Sequence, residues 1–392
     1  VKTRLDARGK QLSYDYDSLN RLTRITLDDG VTEIVYEYDD ALSNAVGRLH
    51  RITDSSGSTS WTYTKFGDVK TKTHTIGAIN LVTVYDYHPD GRLNTIMLPS
   101  SKVMTIGYNV FQPNSISVDS NSVLSGATYD PFGPVNGWLW GNGTSNIRSY
   151  DTRGFMDSQT LLTDSLVLGY DNVGRLNSLD DGRPISEIDY SALVPATGSF
   201  DVSVLPSSNQ VDTVAGPVAK NYDYDAAGNV TTDGVHSYSY DDRGRLITVD
   251  SGTVATYTYN GQGQRVKKVA SSATTLFAYD EQGHLIGEYD QSGTPIKEHI
   301  WFNELPVAVL EGANIYYVHA DHLGTPRVVS NGNTAIWEWQ SSPFGLGVPD
   351  NDPDGNLTTF EYNPRFPGQY FDAESGLHYN YFRTYDPSTG RY

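Results

Sequence analysis

The stretch Tyr238-Ser-Tyr240-Asp-Asp-Arg-Gly244-Arg-Leu246-Ile-Thr-Val249 decides how this chain folds. Tyr238 and Tyr240 are two apart, so on a strand both side chains point to one face. Asp241 can accept a hydrogen bond from the amide two residues on, which opens a turn. Gly244 supplies the positive φ that a type I turn with a bulge demands. Leu246 to Val249 then reads as the return strand. One phrase is one β-hairpin.

The phrase recurs along the whole chain. Close copies are Tyr170-Asp-Asn-Val-Gly174-Arg-Leu176 and Tyr279-Asp-Glu-Gln-Gly283-His-Leu285. Looser copies begin at Tyr16, Tyr63, Tyr87, Tyr129, Tyr150, Tyr224, Tyr259 and Tyr289. At the first copy Asn20 stands where glycine usually stands, and asparagine is the next-best residue for a left-handed backbone. Repetition of this kind implies stacked structural units. Paired aromatic residues two apart, such as Trp61/Tyr63, Trp138/Trp140, Tyr257/Tyr259 and Trp337/Trp339, would line up as cross-strand ladders, each contact contributing on the order of 0.5 kcal/mol. The same aromatics turned outward would make a sugar-binding strip; ladder packing is the stronger expectation, since repeat units must bury a face against their neighbours. Residues 181–220, with Pro195, Pro206 and Pro217, interrupt the series and read as a loop or insertion with one or two irregular strands.

Composition agrees. The 392 residues include 28 Tyr and 37 Gly, a mixture suited to short strands and tight turns, and helical periodicity is almost absent. The net charge of −19 argues against nucleic acid or an anionic membrane as partner. The absence of cysteine excludes disulfides, thiolate nucleophiles and Cys-ligated zinc. No apolar run is long enough to span a membrane as a helix, and no signal peptide opens the sequence. Both ends read as cut from something longer.

One stretch between repeats has the spacing of a metal site. Asp350-Asn-Asp352-Pro-Asp354-Gly355-Asn356-Leu-Thr-Thr-Phe-Glu361 places acids at the first, third and fifth positions of a calcium loop, glycine at the sixth and glutamate at the twelfth. Asp350, Asp352, Asp354 and Glu361 would supply carboxylates and Asn356 its backbone carbonyl to Ca²⁺. Pro349 and Pro364 make helical flanks unexpected, and the competing reading is a solvated acidic loop. His319 and His322 flank Asp321 and read as part of a structural turn rather than a metal pair. No phrase or cluster marks a catalytic nucleophile or a pair of acids, so no catalytic residue is expected.

The phrases resemble the YD repeats of the Rhs family of bacterial proteins, found also in the C components of insecticidal toxin complexes and in animal teneurins. The likeness tightens at Tyr317-Val-His-Ala-Asp-His-Leu-Gly-Thr-Pro-Arg327 and is closest from Arg365-Phe-Pro-Gly-Gln-Tyr to Asp386-Pro-Ser-Thr-Gly390-Arg-Tyr392, which resembles the Rhs core-associated segment. The resemblance implies an all-β fold in which YD hairpins form a long spiralling sheet, part of a hollow shell or cocoon. It divides the chain into a repeat array over 1–300 and a core-associated region over 301–392. It also implies a structural role: enclosing a C-terminal toxin domain for export and delivery to competing bacteria, by a type VI apparatus for example, with the rest of the shell or a delivery protein as further partners. The self-cleaving Asp-Pro-x-Gly phrases of the family are not matched here, because Asp386-Pro-Ser-Thr-Gly390 has one residue too many. Rival readings are an adhesion module that binds glycans or protein and, more distantly, a polysaccharide-active enzyme on a β scaffold.

Overall fold

A computed structural model describes residues 2–131, 133–180, 201–216, 219–271 and 273–392. Among these residues regular structure is β-strand, apart from one single-turn 3-10 helix at Asp250–Gly252.

The repeat folds as its residues dictate. Strand Tyr238–Tyr240 pairs antiparallel with Leu246–Val249, with the register shifting just before Tyr240. The Asp241 amide donates to Arg245 O (2.9 Å) and the Gly244 amide to Asp241 O (3.0 Å). One carboxylate oxygen of Asp241 accepts the amides of both Arg243 and Arg245, each at 2.9 Å. Gly244 has φ +80° and Asn20, at the same place in its own phrase, φ +65°. This is a tight turn closed by a bulge, held by an aspartate that satisfies two amides. Asp17, Asp171, Asp225, Asp280 and Asp321 hold their turns in the same way.

Successive hairpins are stapled by a tyrosine that ends the strand leading into a turn. Its hydroxyl donates to the carbonyl of the first return-strand residue of the hairpin before: Tyr38 to Leu22 (2.9 Å), Tyr108 to Leu93 (2.8 Å), Tyr150 to Val135 (2.9 Å), Tyr259 to Leu246 (2.7 Å), and Tyr63 to Leu49. The arginine after the turn glycine or asparagine often lies over that same ring, as with Arg21 on Tyr38 (4.4 Å), Arg92 on Tyr108 (4.5 Å) and Arg245 on Tyr259 (5.6 Å).

The chain divides into two compact units, each drawn from separated stretches. The first comprises Val1–Tyr85, Val194–Thr294 and Asp372–Tyr392. Here the strands from Thr3–Leu5 to Ile79–Tyr87 run as one antiparallel meander, and those from Tyr238–Tyr240 to Leu285–Tyr289 as another. Turns of the second meander meet the first. Trp61 Nε1 donates to Glu281 (3.2 Å), Lys72 Nζ to Asp280 O (3.0 Å), and the Gly261 amide to Asp54 (2.6 Å). Gly261 is required there: a Cβ would lie 2.5 Å from an Ile52 methyl and 2.8 Å from one of Ile34. Ile34, Ile52 and Trp61 form the buried centre of that contact.

The second unit comprises Asp86–Leu193 and Pro295–Phe371. Its meanders run from Leu93–Met97 to Leu176–Asp180 and from Pro295–Phe302 to Thr334–Glu338. Trp138 packs against Phe302 (6.0 Å between rings), and Trp140 against Tyr317 and His319 (5.6 and 5.1 Å). Val309, Val318, Val329, Trp337, Trp339, Phe360 and Tyr362 form a second buried cluster. These units are interleaved along the chain and differ in kind from the sequence division into 1–300 and 301–392.

Of the insertion expected over 181–220, residues 181–200 lie outside the described residues. Beyond them Asp201–Val204 and Val211–Ala215 pair as strands, with Pro206 in their connection.

Candidate functional site

The last segment of the first unit, Asp372–Tyr392, is fastened by two networks of charge and tyrosine. Strand Arg265–Ala270 supplies the first. Arg265, 1 % exposed, lies over the rings of Tyr379 (4.3 Å), Tyr257 (5.0 Å) and Phe277 (5.2 Å) and bonds to the Asp372 carboxylate. Burial works against this cation, but the Asp372 charge beside it prevails and raises its pKa well above the usual arginine value. Lys268 Nζ reaches both Asp372 and Glu374 at 3.2 Å, and the Tyr257 hydroxyl donates to Glu374 (3.0 Å). The Tyr379 hydroxyl accepts the Arg265 amide (2.9 Å), and burial pushes its pKa up to about 12.

The second network centres on Lys220, whose Nζ sits 2.8 Å from Asp386 and 3.1 Å from Asp233. The Tyr222 hydroxyl donates to Asp386 (3.0 Å) and the Tyr238 hydroxyl to Asp233 (3.2 Å). Burial pulls the Asp233 carboxyl up, yet the amides of His236 and Val235 and the Lys220 charge hold it below the usual carboxylate range. Asp386 also caps its own turn, accepting the Ser388 amide (2.9 Å). The Asp386-Pro387 carboxylate is thus committed to holding the segment down.

Between these networks lies a cavity of about 420 Å³ within the first unit. Tyr224, Tyr240, Tyr381, Arg245, Arg383 and Arg391 are among its lining residues. Asp233 and Asp386 line it too, and both pair with Lys220.

In the acidic loop expected to bind calcium, the carboxylates accept local amides. Asp350 is in a backbone bridge with Glu338 and its carboxylate accepts the Asp352 amide (3.0 Å). Asp352 accepts the amides of Asn356 (3.0 Å) and Leu357 (3.1 Å), and Asp354 accepts the Asn356 side-chain amide (2.7 Å). Glu361 is exposed. Among the described residues no three His, Asp or Glu side chains converge as a metal-ligating group. Asp321 holds its turn through the amides of Leu323 and Thr325 and pairs with Arg327 (2.9 Å). His319 is buried against Trp140 with Nε2 3.0 Å from Ser330 Oγ, and burial pushes its pKa down to about 3.

Comparison with known proteins gives this geometry its context. A family profile described as Teneurin YD-shell matches residues 169–392, and one described as RHS Repeat matches residues 1–33. The chain belongs to the teneurin YD-shell family. This YD shell is similar to double-stranded DNA deaminase toxin A of Burkholderia cenocepacia, 27 % identical over 69 % of the chain and 21 % of that protein. It is similar to probable deoxyribonuclease RhsA of Dickeya dadantii, 25 % identical over 87 % of the chain and 26 % of that protein. A shorter match, 43 % identical over 22 % of the chain and 6 % of that protein, is to toxin protein Tse5 of Pseudomonas aeruginosa. The chain therefore spans about a quarter or less of the length of these curated relatives. Among solved structures, TcdB2-TccC3 superposes with a TM-score of 0.75 at 15 % identity, over 99 % of this chain and 26 % of that one, which fixes the YD shell's fold as theirs.

The two docking networks were not foreseen from the sequence. Local phrases single out hairpins, whereas Arg265 and Asp372 lie 107 residues apart and Lys220 and Asp386 lie 166 apart. The two acids of Asp372-Ala-Glu374, set where a strand enters a turn, were the available signal.

Proposed function

We propose that this YD shell is the enclosing wall of a polymorphic toxin, holding a toxin domain carried on the same polypeptide until delivery into a target cell. The observation that carries the reading is the fastening of Asp372–Tyr392 to the wall through buried charge pairs, which would anchor an attached domain at a fixed place. The names of the relatives support it, since they are toxins and probable deoxyribonucleases that extend well beyond the matched region. The wall acts by confinement, so catalysis belongs to the enclosed domain and export is its route. An adhesion module would turn its aromatic dyads outward, but Trp138, Trp140, Tyr257, Tyr259, Trp337 and Trp339 are buried, which favours the wall.

The test is limited proteolysis of the protein expressed from its whole natural reading frame. The enclosed domain should survive in the intact protein and be digested once Arg265→Ala and Lys220→Ala loosen the segment. Equal digestion of the domain inside the intact protein and as a separate polypeptide would overturn the reading.

For the loop at 350–361 we propose weak calcium binding, in which Asp352 and Asp354 exchange backbone amides for the ion. Calorimetry at millimolar calcium should give heat that disappears in Asp352→Ala; absence of heat retires the site.

A further inference from the structure

The cavity of the first unit has the chemistry of a recognition site. In a chain of net charge −19, arginines such as Arg8, Arg21, Arg92, Arg153 and Arg175 each pair with a nearby carboxylate. Arg245, Arg383 and Arg391 line the cavity, and among the described residues none forms an ion pair with a carboxylate. Their contacts are carbonyls and rings. Arg245 donates to Gly263 O and lies 5.2 Å from the Phe382 ring. Arg391 donates to Asn209 O (3.3 Å), and Arg383 lies over Tyr392 (5.9 Å). Three arginines beside tyrosines make a pocket that calls for an anion with a flat or apolar companion.

The same unit indicates which kind of anion. It already binds acidic side chains of its own C-terminal hairpin segment, Asp386 through Lys220 and the Tyr222 hydroxyl, and Asp372 through Arg265 inside an aromatic cage. Cation plus tyrosine reading a peptide carboxylate is the working device of this unit. Asp233 and Asp386 also line the cavity but are taken up by Lys220, so its three arginines repeat the device without a carboxylate of their own. We infer that the cavity binds a peptide segment carrying an acidic residue next to an aromatic one. Its volume of about 420 Å³ holds a few side chains, at the small end of ligand sites. The acid would take the forked guanidinium donors of Arg383 and Arg391, and the aromatic residue would lie among Tyr224, Tyr240 and Tyr381. This site is additional to the wall role and stands whether or not a toxin is enclosed.

Fluorescence anisotropy with a short labelled peptide of Asp, Glu and Tyr tests it on the intact chain. Saturable binding is expected, weakened at least about tenfold in Arg383→Ala/Arg391→Ala and unchanged in Arg175→Ala, which lies in the other unit. The Asn/Gln/Tyr version of the peptide should bind at least about tenfold more weakly. Because Arg383 and Arg391 are exposed, their variants should melt as the wild type does, so a loss of binding reports recognition rather than unfolding. Equal binding of the acidic and neutral peptides, or equal binding by both arginine variants, overturns the inference. So does an absence of saturable peptide binding while calorimetry shows glucuronate bound, which would make the site one for acidic sugars.

Discussion

Removing the Arg265 guanidinium would leave the buried Asp372 carboxylate to Lys268, with the cage of Tyr257, Phe277 and Tyr379 emptied at its centre. Arg265→Ala should therefore cost about 3–5 kcal/mol in denaturant unfolding. Arg265→Met combined with Asp372→Leu should recover most of that, since matched apolar side chains can replace a buried pair. A second residue-scale effect concerns protons. His74 and His319 are buried and neutral, and burial pushes each pKa down to about 3. In the unfolded chain a histidine takes up its proton near pH 6.5. Between those values the unfolded state binds more protons, so stability is full above about pH 6.5 and is lost as the pH falls toward 3. Going from pH 7 to pH 5 should remove roughly 2 kcal/mol per histidine. Unfolding midpoints of His74→Leu/His319→Phe should change less over that interval than those of the wild type; equal changes would refute the assignment.

At the scale of the element, the tyrosine staple reinforces the backbone pairing that joins successive hairpins into one sheet. Its worth depends on depth. The Tyr279 hydroxyl donates to Arg265 O (2.9 Å) in a fully buried setting, whereas Tyr38 does the same for Leu22 at a half-exposed one. Tyr279→Phe should cost about 1–3 kcal/mol by stranding a buried carbonyl, and Tyr38→Phe about 0–1 kcal/mol because water can replace the donor. Thermal melts of the two variants measure the difference, and equal losses would show that the staple is not what Tyr279 contributes. The hairpin itself was legible in the phrase. Aspartate, glycine and the return strand announce their roles by local chemistry, and Asn20 at positive φ fits the same reading. The staple was not legible, because the phrase says which face the tyrosine occupies but not that its hydroxyl reaches a carbonyl in the preceding unit. The placement of the arginine after the glycine was not legible for a related reason. Its turn aspartate is visible in sequence, while the ring it covers belongs to the next hairpin.

At the scale of the molecule, the all-β architecture could be read from repetition and the family from the specific phrases between Tyr317 and Tyr392, but the way each unit is assembled could not. Glu281 meets Trp61 and Lys72 across more than two hundred residues of chain, and nothing in either phrase names the other. The acidic loop shows the converse. Its spacing read as a metal site, yet Asp352 and Asp354 have local amides to bind, and alternating acids in a turn serve either purpose. The segment Asp372–Tyr392 has a molecular role out of proportion to its length, since it supplies partners for Arg265, Lys268 and Lys220 at once. A chain ending at Phe371 should leave these cations without those acids and expose the Tyr257 and Tyr259 rings. Proteolysis followed by mass spectrometry should then find new cuts within residues 219–271, and an unchanged cutting pattern would mean the segment is dispensable.

Each staple reaches back only 13–16 residues, to the hairpin just before it. A gene that copies one whole phrase therefore makes a new bond at each seam from parts already present. A gene that copies half a phrase inverts the seam and loses it. Such a wall can change its area in whole hairpins, by duplication or deletion, without redesign of any contact within it.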